Sequence, residues 1–471
     1  VSRPTPLEAA ASGGTFGVSG YRARVGEGFD AATVVRFAEA FGTLVRDTGG
    51  RRVVLGRDTR PSGAMAAGGV VAGLLGVGID VLDVGIAPTP TILHAAAAYD
   101  ADGSVTVTGS HNPPEWNGLE FALRRGRLLD ASERERLGDL VRRGARGLVQ
   151  WTDVGAVETR CDAIRLHLDR ILDLADLDEA AVRRRGPTVV VDAGNGAGSR
   201  ISPELVRRLG GRVVPLFCEP DGRFPRSPEP TAESLEVLRE TVRREGADVG
   251  FAHDSDADRL VLVDETGRAL PEEYTFACVA DVLLRRNRRP VVTTVVTGGL
   301  LDEVAAAHGV AIVRTPVGVG HVVERMRALD AAVGGESTGG VVVPGTHLTT
   351  DGVAAIALIL TGMAHDGVTL SEWISRWRVH HLRRAKIPLR GDTNVAALLD
   401  ALADAESGAT IDRTDGVRLV WQNTWVCVRP SGTEPVLRVF AESPDATVAE
   451  RLLKETVSRA NAVMARTAST A

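Results

Sequence analysis

A chain of 471 residues is too long for one hydrophobic core and implies two to four domains. Its 44 % apolar and 25 % charged residues are ordinary for a water-soluble globular protein. A formal net charge of −6, no long basic block and only 4 % aromatic residues exclude a nucleic-acid surface, which needs a cationic stripe and often stacking rings.

Short β-branched runs alternate with helical patterns through most of the chain. Strands are predicted over 52–56, 79–84, 104–108, 188–192, 213–216, 249–252, 291–296 and 332–334. Helices are predicted over 31–45, 133–142, 204–209, 232–244 and 322–329. Residues 61–79 carry no charge and are long enough to span a bilayer, but six glycines interrupt them and they run into a strand. A buried helix feeding that strand is predicted, with no membrane segment. The alternation implies α/β units, with seams near 150–157, 264–271 and 377–384. The last section differs: a hairpin over 417–420 and 424–429, a strand over 436–441 and a helix over 447–463 make a smaller α+β module. Cys161, Cys218, Cys278 and Cys427 are scattered without C-x-x-C spacing, so neither a zinc site nor a disulfide framework is expected. The first residues show no signal-peptide pattern, and a reducing, cytoplasmic setting is expected.

Four loops carry chemistry. Thr108-Gly-Ser-His-Asn-Pro-Pro-Glu-Trp-Asn-Gly118 follows a strand and presents Ser110 as a nucleophile or phosphoryl carrier; taken alone it is equally an ordinary polar turn. Asp254-Ser-Asp-Ala-Asp-Arg259 sets three carboxylates at alternate positions, an oxygen-rich site suited to Mg²⁺. An EF-hand is excluded because Arg259 stands where that loop needs glycine. Gly334-Gly-Glu-Ser-Thr-Gly-Gly340 offers Glu336 and Thr338 to sugar hydroxyls, although a hairpin turn explains its glycines as well. Arg429-Pro-Ser-Gly-Thr-Glu-Pro435 combines a guanidinium with backbone N–H groups and hydroxyls, as a phosphate clamp does.

In this order, with Phe16–Arg22, Gly56–Arg60, Asp192–Gly196, Glu219–Pro225 and Thr315–Gly318 between them, the loops resemble the α-D-phosphohexomutases, which include phosphomannomutase/phosphoglucomutase and phosphoglucosamine mutase. The resemblance covers nearly the whole chain. It implies three related α/β domains with mixed sheets and a smaller α+β C-terminal domain around a central cleft. The corresponding spans are 1–154 with the phosphoserine loop, 155–267 with the metal loop, 268–378 with the sugar loop and 379–471 with the phosphate loop.

It further implies a phosphorylated Ser110 whose phosphate joins Asp254, Asp256 and Asp258 around Mg²⁺. A hexose 1-phosphate and a hexose 6-phosphate would interconvert through a bisphosphorylated sugar, with hexose 1,6-bisphosphate as activator. Arg429, Ser431, Gly432 and Thr433 would grip the phosphate that is not reacting, and Glu336 and Thr338 would read hydroxyls common to both poses. Arg22, Arg259, His111 and His321 would steady the reacting phosphoryl group. The expected partner is the phosphosugar alone, without nucleic acid or membrane, in a monomer or homodimer.

The sequence departs from the family pattern at three places. Glu120 stands where a lysine usually moves the hydroxyl proton. Either Glu120 is itself the base, or it points away and leaves the task to His321 or His111; the second reading is favoured. Gly340 stands for a histidine and Thr338 for a serine, which is expected to enlarge that corner of the sugar site. Ser255 replaces a glycine and is tolerable there if its φ is negative. These departures leave two rival functions: a phosphoserine-dependent phosphatase or one-way phosphotransferase, and a non-catalytic sugar-phosphate-binding protein.

Overall fold

The computed structural model of the chain describes residues 14–17, 20–144, 147–389, 393–404, 408–431 and 436–468. The first eight strands are β1 Gly14–Gly17, β2 Gly20–Arg24, β3 Arg52–Arg57, β4 Asp80–Ile86, β5 Gly103–Val107, β6 Trp116–Leu123, β7 Arg127–Leu128 and β8 Val157–Thr159. They form one sheet in the order β1-β2-β6-β5-β3-β4-β8, with β7 beside β6. The glycine-rich run becomes the helix Gly63–Gly76, which leads into β4. A Cβ at Gly73 would lie 2.7 Å from Ala38 and 2.8 Å from the Val35 carbonyl, so the glycines let this helix pack tightly on helix Ala31–Asp47. Among the described residues no helix is long and apolar enough to cross a membrane.

The second sheet contains β9 Thr188–Asp192, β10 Arg212–Leu216, β11 Val249–His253 and β12 Leu260–Asp264 in the order β10-β9-β11-β12. The third contains β13 Val291–Thr294, β14 Ile312–Thr315, β15 Val333–Gly335 and β16 Val341–Val342 in the order β14-β13-β15-β16. Both have three parallel strands and one antiparallel edge. The first sheet contains the same arrangement as β4-β3-β5-β6. The unit is therefore repeated three times. In each copy the antiparallel edge is reached through a short connection, β5–β6, β11–β12 or β15–β16, and these connections carry Ser110, the three aspartates and Glu336 respectively.

The C-terminal sheet is wholly antiparallel: β17 His381–Pro388, β18 Thr410–Asp412, β19 Val417–Trp421, β20 Thr424–Pro430 and β21 Val436–Ser443, in the order β17-β21-β20-β19-β18. Leu437, Val439 and Ala441 alternate towards the helices Val395–Asp404 and Ala446–Ala468. On the other face Trp425, Cys427 and Phe440 pack on Val295, Val296 and Val317 of the third unit.

A buried acidic cluster lies at that junction. Glu273, Glu442 and His380 meet there, with Glu272, Glu303 and Arg384 close by. Burial first and the Glu442 carboxylate second push Glu273 up to about 8, against the pull of His380 and Arg384. Hydrogen bonding to Glu442 and Glu303 raises His380 to about 9, although burial opposes it. Both groups hold their protons more tightly folded than unfolded. Glu273 supports the fold fully below its ordinary value of 4.5, and that support is lost as pH rises from there through about 8. Glu273→Gln should therefore lose less thermal stability than the parent between about pH 5 and pH 8, by ~2 °C or more. Parallel melting curves across that range would contradict this.

Candidate active site

The Ser110 loop is shaped by a buried arginine. Arg60 is fully buried and pairs with Asp58, its Nε donating to Oδ2 at 3.1 Å. Its guanidinium donates to the carbonyls of Ser110 (2.6 Å), Asn112 (2.7 Å), Pro113 (2.6 Å) and Trp116 (2.9 Å). One planar fork thus satisfies the inward carbonyls of the whole loop, and the ring of Phe224 lies 5.2 Å from its centre. A Cβ at Gly109 would lie 2.6 Å from this guanidinium, which is why glycine precedes the serine. Ser110 itself adopts a left-handed φ of 47°, a conformation that a non-glycine residue holds only when its surroundings enforce it. Thr108 Oγ1, which accepts from the Ser110 N–H at 2.8 Å, helps to hold it.

The aspartate loop faces this serine. Buried His253, at the end of β11, bonds the Arg259 carbonyl through Nδ1 (2.9 Å) and Ser202 Oγ through Nε2 (2.8 Å), which fixes the base of the loop. Arg226, paired with buried Asp192, donates to the His253 carbonyl at 2.7 Å. Each aspartate has one oxygen oriented by a neighbour. Asp254 Oδ1 accepts from the Arg259 N–H (3.3 Å), Asp256 Oδ2 from Thr89 Oγ1 (2.8 Å) and Asp258 Oδ2 from Thr350 Oγ1 (2.8 Å). Asp254 Oδ2 accepts from Ser110 Oγ at 3.3 Å, whereas Asp256 Oδ1 and Asp258 Oδ1 are buried with no hydrogen-bond partner.

One ligand oxygen from each aspartate lies within 4.8 Å of the other two. Burial and mutual repulsion push the Asp254 and Asp256 carboxyls up. A small hard divalent cation fits this donor set: it would accept the unpartnered oxygens and offset the repulsion. Ser255 has no left-handed φ; the positive φ of this loop falls on Ala257 instead, at 55°.

Guanidinium groups surround the serine. Arg259 is the largest influence on His111 and, with burial, Arg22, Arg60 and Arg438, drives that imidazole down to about 2. His111 Nδ1 lies 3.3 Å from Ser110 Oγ, and a ring that resists protonation so strongly is a poor proton acceptor. The reading in which Glu120 points away does not hold. Arg22 Nη2 donates to Glu120 Oε1 at 2.6 Å, and the carboxyl senses both Asp256 and Asp258. Burial first, then these two aspartates, push it up to about 7 against the pull of Arg22.

The sugar loop meets the aspartate loop directly. Arg259 bridges Gly340, and the Leu260 N–H donates to the Gly339 carbonyl at 3.1 Å. Glu336 accepts from the Gly318 N–H at 3.1 Å and lies in the fields of Arg259 and Arg429. Thr338 is half-buried on the same loop, and half-buried His321 stands on the first turn of helix Val319–Leu329. A Cβ at Gly340 would lie 2.8 Å from the methyl of Thr350, the side chain that holds Asp258, so this direction from Gly340 is occupied by Thr350. Arg429 Nε donates to Asp415 Oδ2 at 2.7 Å, and the same oxygen accepts from the Val317 N–H at 3.0 Å, joining the C-terminal module to the third unit. Ser431 ends the described part of the phosphate loop, its N–H donating to the Val436 carbonyl at 2.9 Å; Gly432 and Thr433 lie outside the described residues.

Arg60, Thr89, Thr350, Asp415 and Arg438 were not among the residues that the sequence singled out as site residues. Only Arg60 carried a signal, as the last residue of Gly56–Arg60. The others are reached only through tertiary contacts.

A nucleophilic hydroxyl beside a carboxylate trio, ringed by guanidiniums supplied from several units, is the equipment of an enzyme that transfers phosphoryl groups. Comparison with known proteins makes the class specific. Residues 13–146, 166–267 and 271–380 match the family models for phosphoglucomutase/phosphomannomutase alpha/beta/alpha domains I, II and III, and residues 384–459 match the model for its C-terminal domain. The chain is 38 % identical to a "Phosphoglucomutase/phosphomannomutase" of Thermococcus kodakarensis, over 94 % of this chain and 97 % of that one. It is 36 % identical to a "Probable phosphoglucosamine mutase" of the same organism, over 94 % and 99 %. A crystal structure of a phosphoglucomutase/phosphomannomutase family protein from Burkholderia thailandensis superposes with a TM-score of 0.83 at 28 % identity, over 94 % and 96 % of the two chains. The chain belongs to the phosphoglucomutase/phosphomannomutase family and is a phosphosugar mutase, an intramolecular phosphotransferase of the isomerase class.

Proposed function

We propose that the protein interconverts hexose 1-phosphate and hexose 6-phosphate through phosphorylated Ser110 and a bisphosphorylated sugar. The observation that carries this reading is the approach of Ser110 Oγ to within 3.3 Å of Asp254, beside two buried carboxylate oxygens that accept no hydrogen bond. We take the functional units as 1–154, 155–267, 268–378 and 379–471, each contributing one loop.

Asp254, Asp256 and Asp258 would hold Mg²⁺ together with the Ser110 phosphate. When bound, the ion supplies Lewis-acid stabilisation of charge on the transferring group. Arg22 and Arg259 bring their guanidiniums to the equatorial oxygens, and neutral His111 donates a hydrogen bond to one of them. Arg429, Ser431, Gly432 and Thr433 grip the distant phosphate, while Glu336 and Thr338 read hydroxyls shared by both poses. His321, on the first turn of helix Val319–Leu329, adds a polar contact to the phosphoryl group. The sugar hydroxyl attacks the phosphoserine phosphorus, the P–O bond to Ser110 breaks, and the hydroxyl proton passes to a base. After the bisphosphate turns over within the cleft, Ser110 takes back the other phosphoryl group and the base returns the proton. Hexose 1,6-bisphosphate therefore primes unphosphorylated enzyme.

Glu120 is the base in this scheme. Burial raises its carboxyl most and the Asp256 and Asp258 charges add to that; a cation held by those aspartates would remove the second contribution, and the Arg22 ion pair favours the ionised form that accepts a proton. Glu120→Gln keeps the shape and removes the proton acceptor, so kcat should fall by ~10²–10⁴-fold. Unchanged turnover in that variant would rule Glu120 out.

The substrate class is tested by a panel of hexose, aminohexose and pentose phosphates assayed with Mg²⁺ and a trace of bisphosphate. The mutase reading expects isomerised product from at least one hexose or aminohexose phosphate. Release of free phosphate without isomerised product would favour the phosphatase reading instead.

A further inference from the structure

Ser255 lies between two of the aspartates in the chain. Its hydroxyl is turned towards the first unit. Oγ lies 2.8 Å from the Ser110 carbonyl oxygen and 3.1 Å from Asp58 Oδ2, with Arg60 Nη2 at 3.5 Å. All four residues are at least 97 % buried, Ser110 being the most exposed at 3 %. A single hydroxyl thus reaches across the seam between the first and second units to the one peptide whose conformation decides where the Ser110 hydroxyl points.

That peptide is the strained one. Ser110 holds a φ of 47°, and the aspartate loop touches its backbone through Ser255 and its hydroxyl through Asp254. A second stitch ties the aspartate loop to another part of the first unit, the start of helix Thr89–Ala98: Thr89 donates its N–H to the Asp256 carbonyl (3.0 Å) and its hydroxyl to Asp256 Oδ2 (2.8 Å). The first and second units are therefore registered against each other at the serine and at the carboxylates together.

We infer that Ser255 is a positioning residue for phosphoryl transfer, fixing the backbone of the nucleophile relative to the metal-binding carboxylates. The inference rests on the mutase reading given above. Removing the hydroxyl leaves no polar atom stranded, because Asp58 Oδ2 still accepts from Thr108 Oγ1 and Arg60 Nε, and the Ser110 carbonyl still accepts from Arg60 Nη2. The variant should consequently fold, bind substrate and bind cation as the parent does, because Arg60 still holds the loop within the first unit, while the register of Ser110 against the aspartate loop loosens and takes its hydroxyl out of line with the sugar hydroxyl. Misplacement of this kind is felt in the chemical step, not in substrate affinity.

The test compares the parent, Ser255→Ala and Ser255→Gly in steady-state and single-turnover assays. Each enzyme is first phosphorylated with hexose 1,6-bisphosphate. The expected result is a kcat and a single-turnover transfer rate lowered about tenfold or more in both variants. KM, the Mg²⁺ concentration for half-maximal rate and the melting temperature should stay close to those of the parent. The inference is overturned if the single-turnover rate is unchanged in either variant. It is equally overturned if KM, Mg²⁺ dependence and melting temperature deteriorate together with kcat, as a loss of folding would produce. Absence of isomerisation by the parent would sink the mutase reading and this inference with it, whereas a fully active parent beside fully active variants sinks the inference alone.

Discussion

Ser110→Ala is expected to abolish isomerisation, lowering turnover by ~10⁴-fold or more. Among the described residues, the hydroxyls beside it are engaged elsewhere. Thr108 Oγ1 is committed to Asp58 and to the Ser110 N–H, and Ser255 Oγ faces the Ser110 carbonyl and Asp58. The variant should nevertheless stay folded, because Arg60 holds the loop through its carbonyls and not through the serine side chain. A discontinuous assay of product formation, alongside a melting curve, separates loss of chemistry from loss of fold. Substantial residual isomerisation by a folded Ser110→Ala protein would remove the serine from the mechanism.

The second large effect belongs to the carboxylate trio, where activity and stability should move in opposite directions. Asp256→Asn keeps the acceptor for the Thr89 hydroxyl but removes one charge from a cluster whose members push one another's carboxyls up. Turnover should fall by ~10²–10³-fold, as it does when one electrostatic element is withdrawn from a preorganised site. Without divalent cation, the variant should melt higher than the parent, since a buried like-charge repulsion has been relieved. Added Mg²⁺ should raise the melting temperature of the parent and raise that of the variant less, because only a ligand of the folded state stabilises it. Chelation should silence the parent reversibly. If the variant without cation melts lower than the parent, the carboxylates are not the repelling cluster described here.

Much of this was legible in the sequence because its signals are local. The strands at 188–192 and 249–252 are short β-branched runs, and both appear within a residue of their predicted bounds. The helix predicted at 31–45 shows a clear apolar stripe and runs from Ala31 to Asp47. Helices Gly352–Asp366 and Glu273–Leu284 escaped because nearly every residue of each is buried, which erases the periodicity that betrays an amphipathic helix. The prediction at 204–209 began late because Pro203 reads as a breaker, whereas the helix runs unbroken from Gly198 to Arg208.

The chemical residues split in the same way. Ser110, the three aspartates, Glu336 and Arg429 lie on contiguous motifs that a reader of the chain can see. Thr89, Thr350 and Asp415 each orient one of those groups from a distant part of the sequence. Glu120 was visible as a reversed charge, but only its contact with Arg22 distinguishes a carboxyl in the site from one turned away. At Gly340 the absent side chain suggests space, and only the fold shows that its Cβ direction meets Thr350.

The central claim is that a phosphoryl group resides on Ser110 and leaves it for a sugar. The most direct measurement is to load the enzyme with radiolabelled phosphate, map the label by peptide mass spectrometry, and mix the phosphoenzyme with unlabelled hexose 1-phosphate and Mg²⁺ in a rapid-quench experiment. The label should map to Ser110 and pass, within one turnover, into hexose bisphosphate and then hexose 6-phosphate, with little free phosphate. Absence of label on Ser110, or its release wholly as inorganic phosphate, would contradict the account.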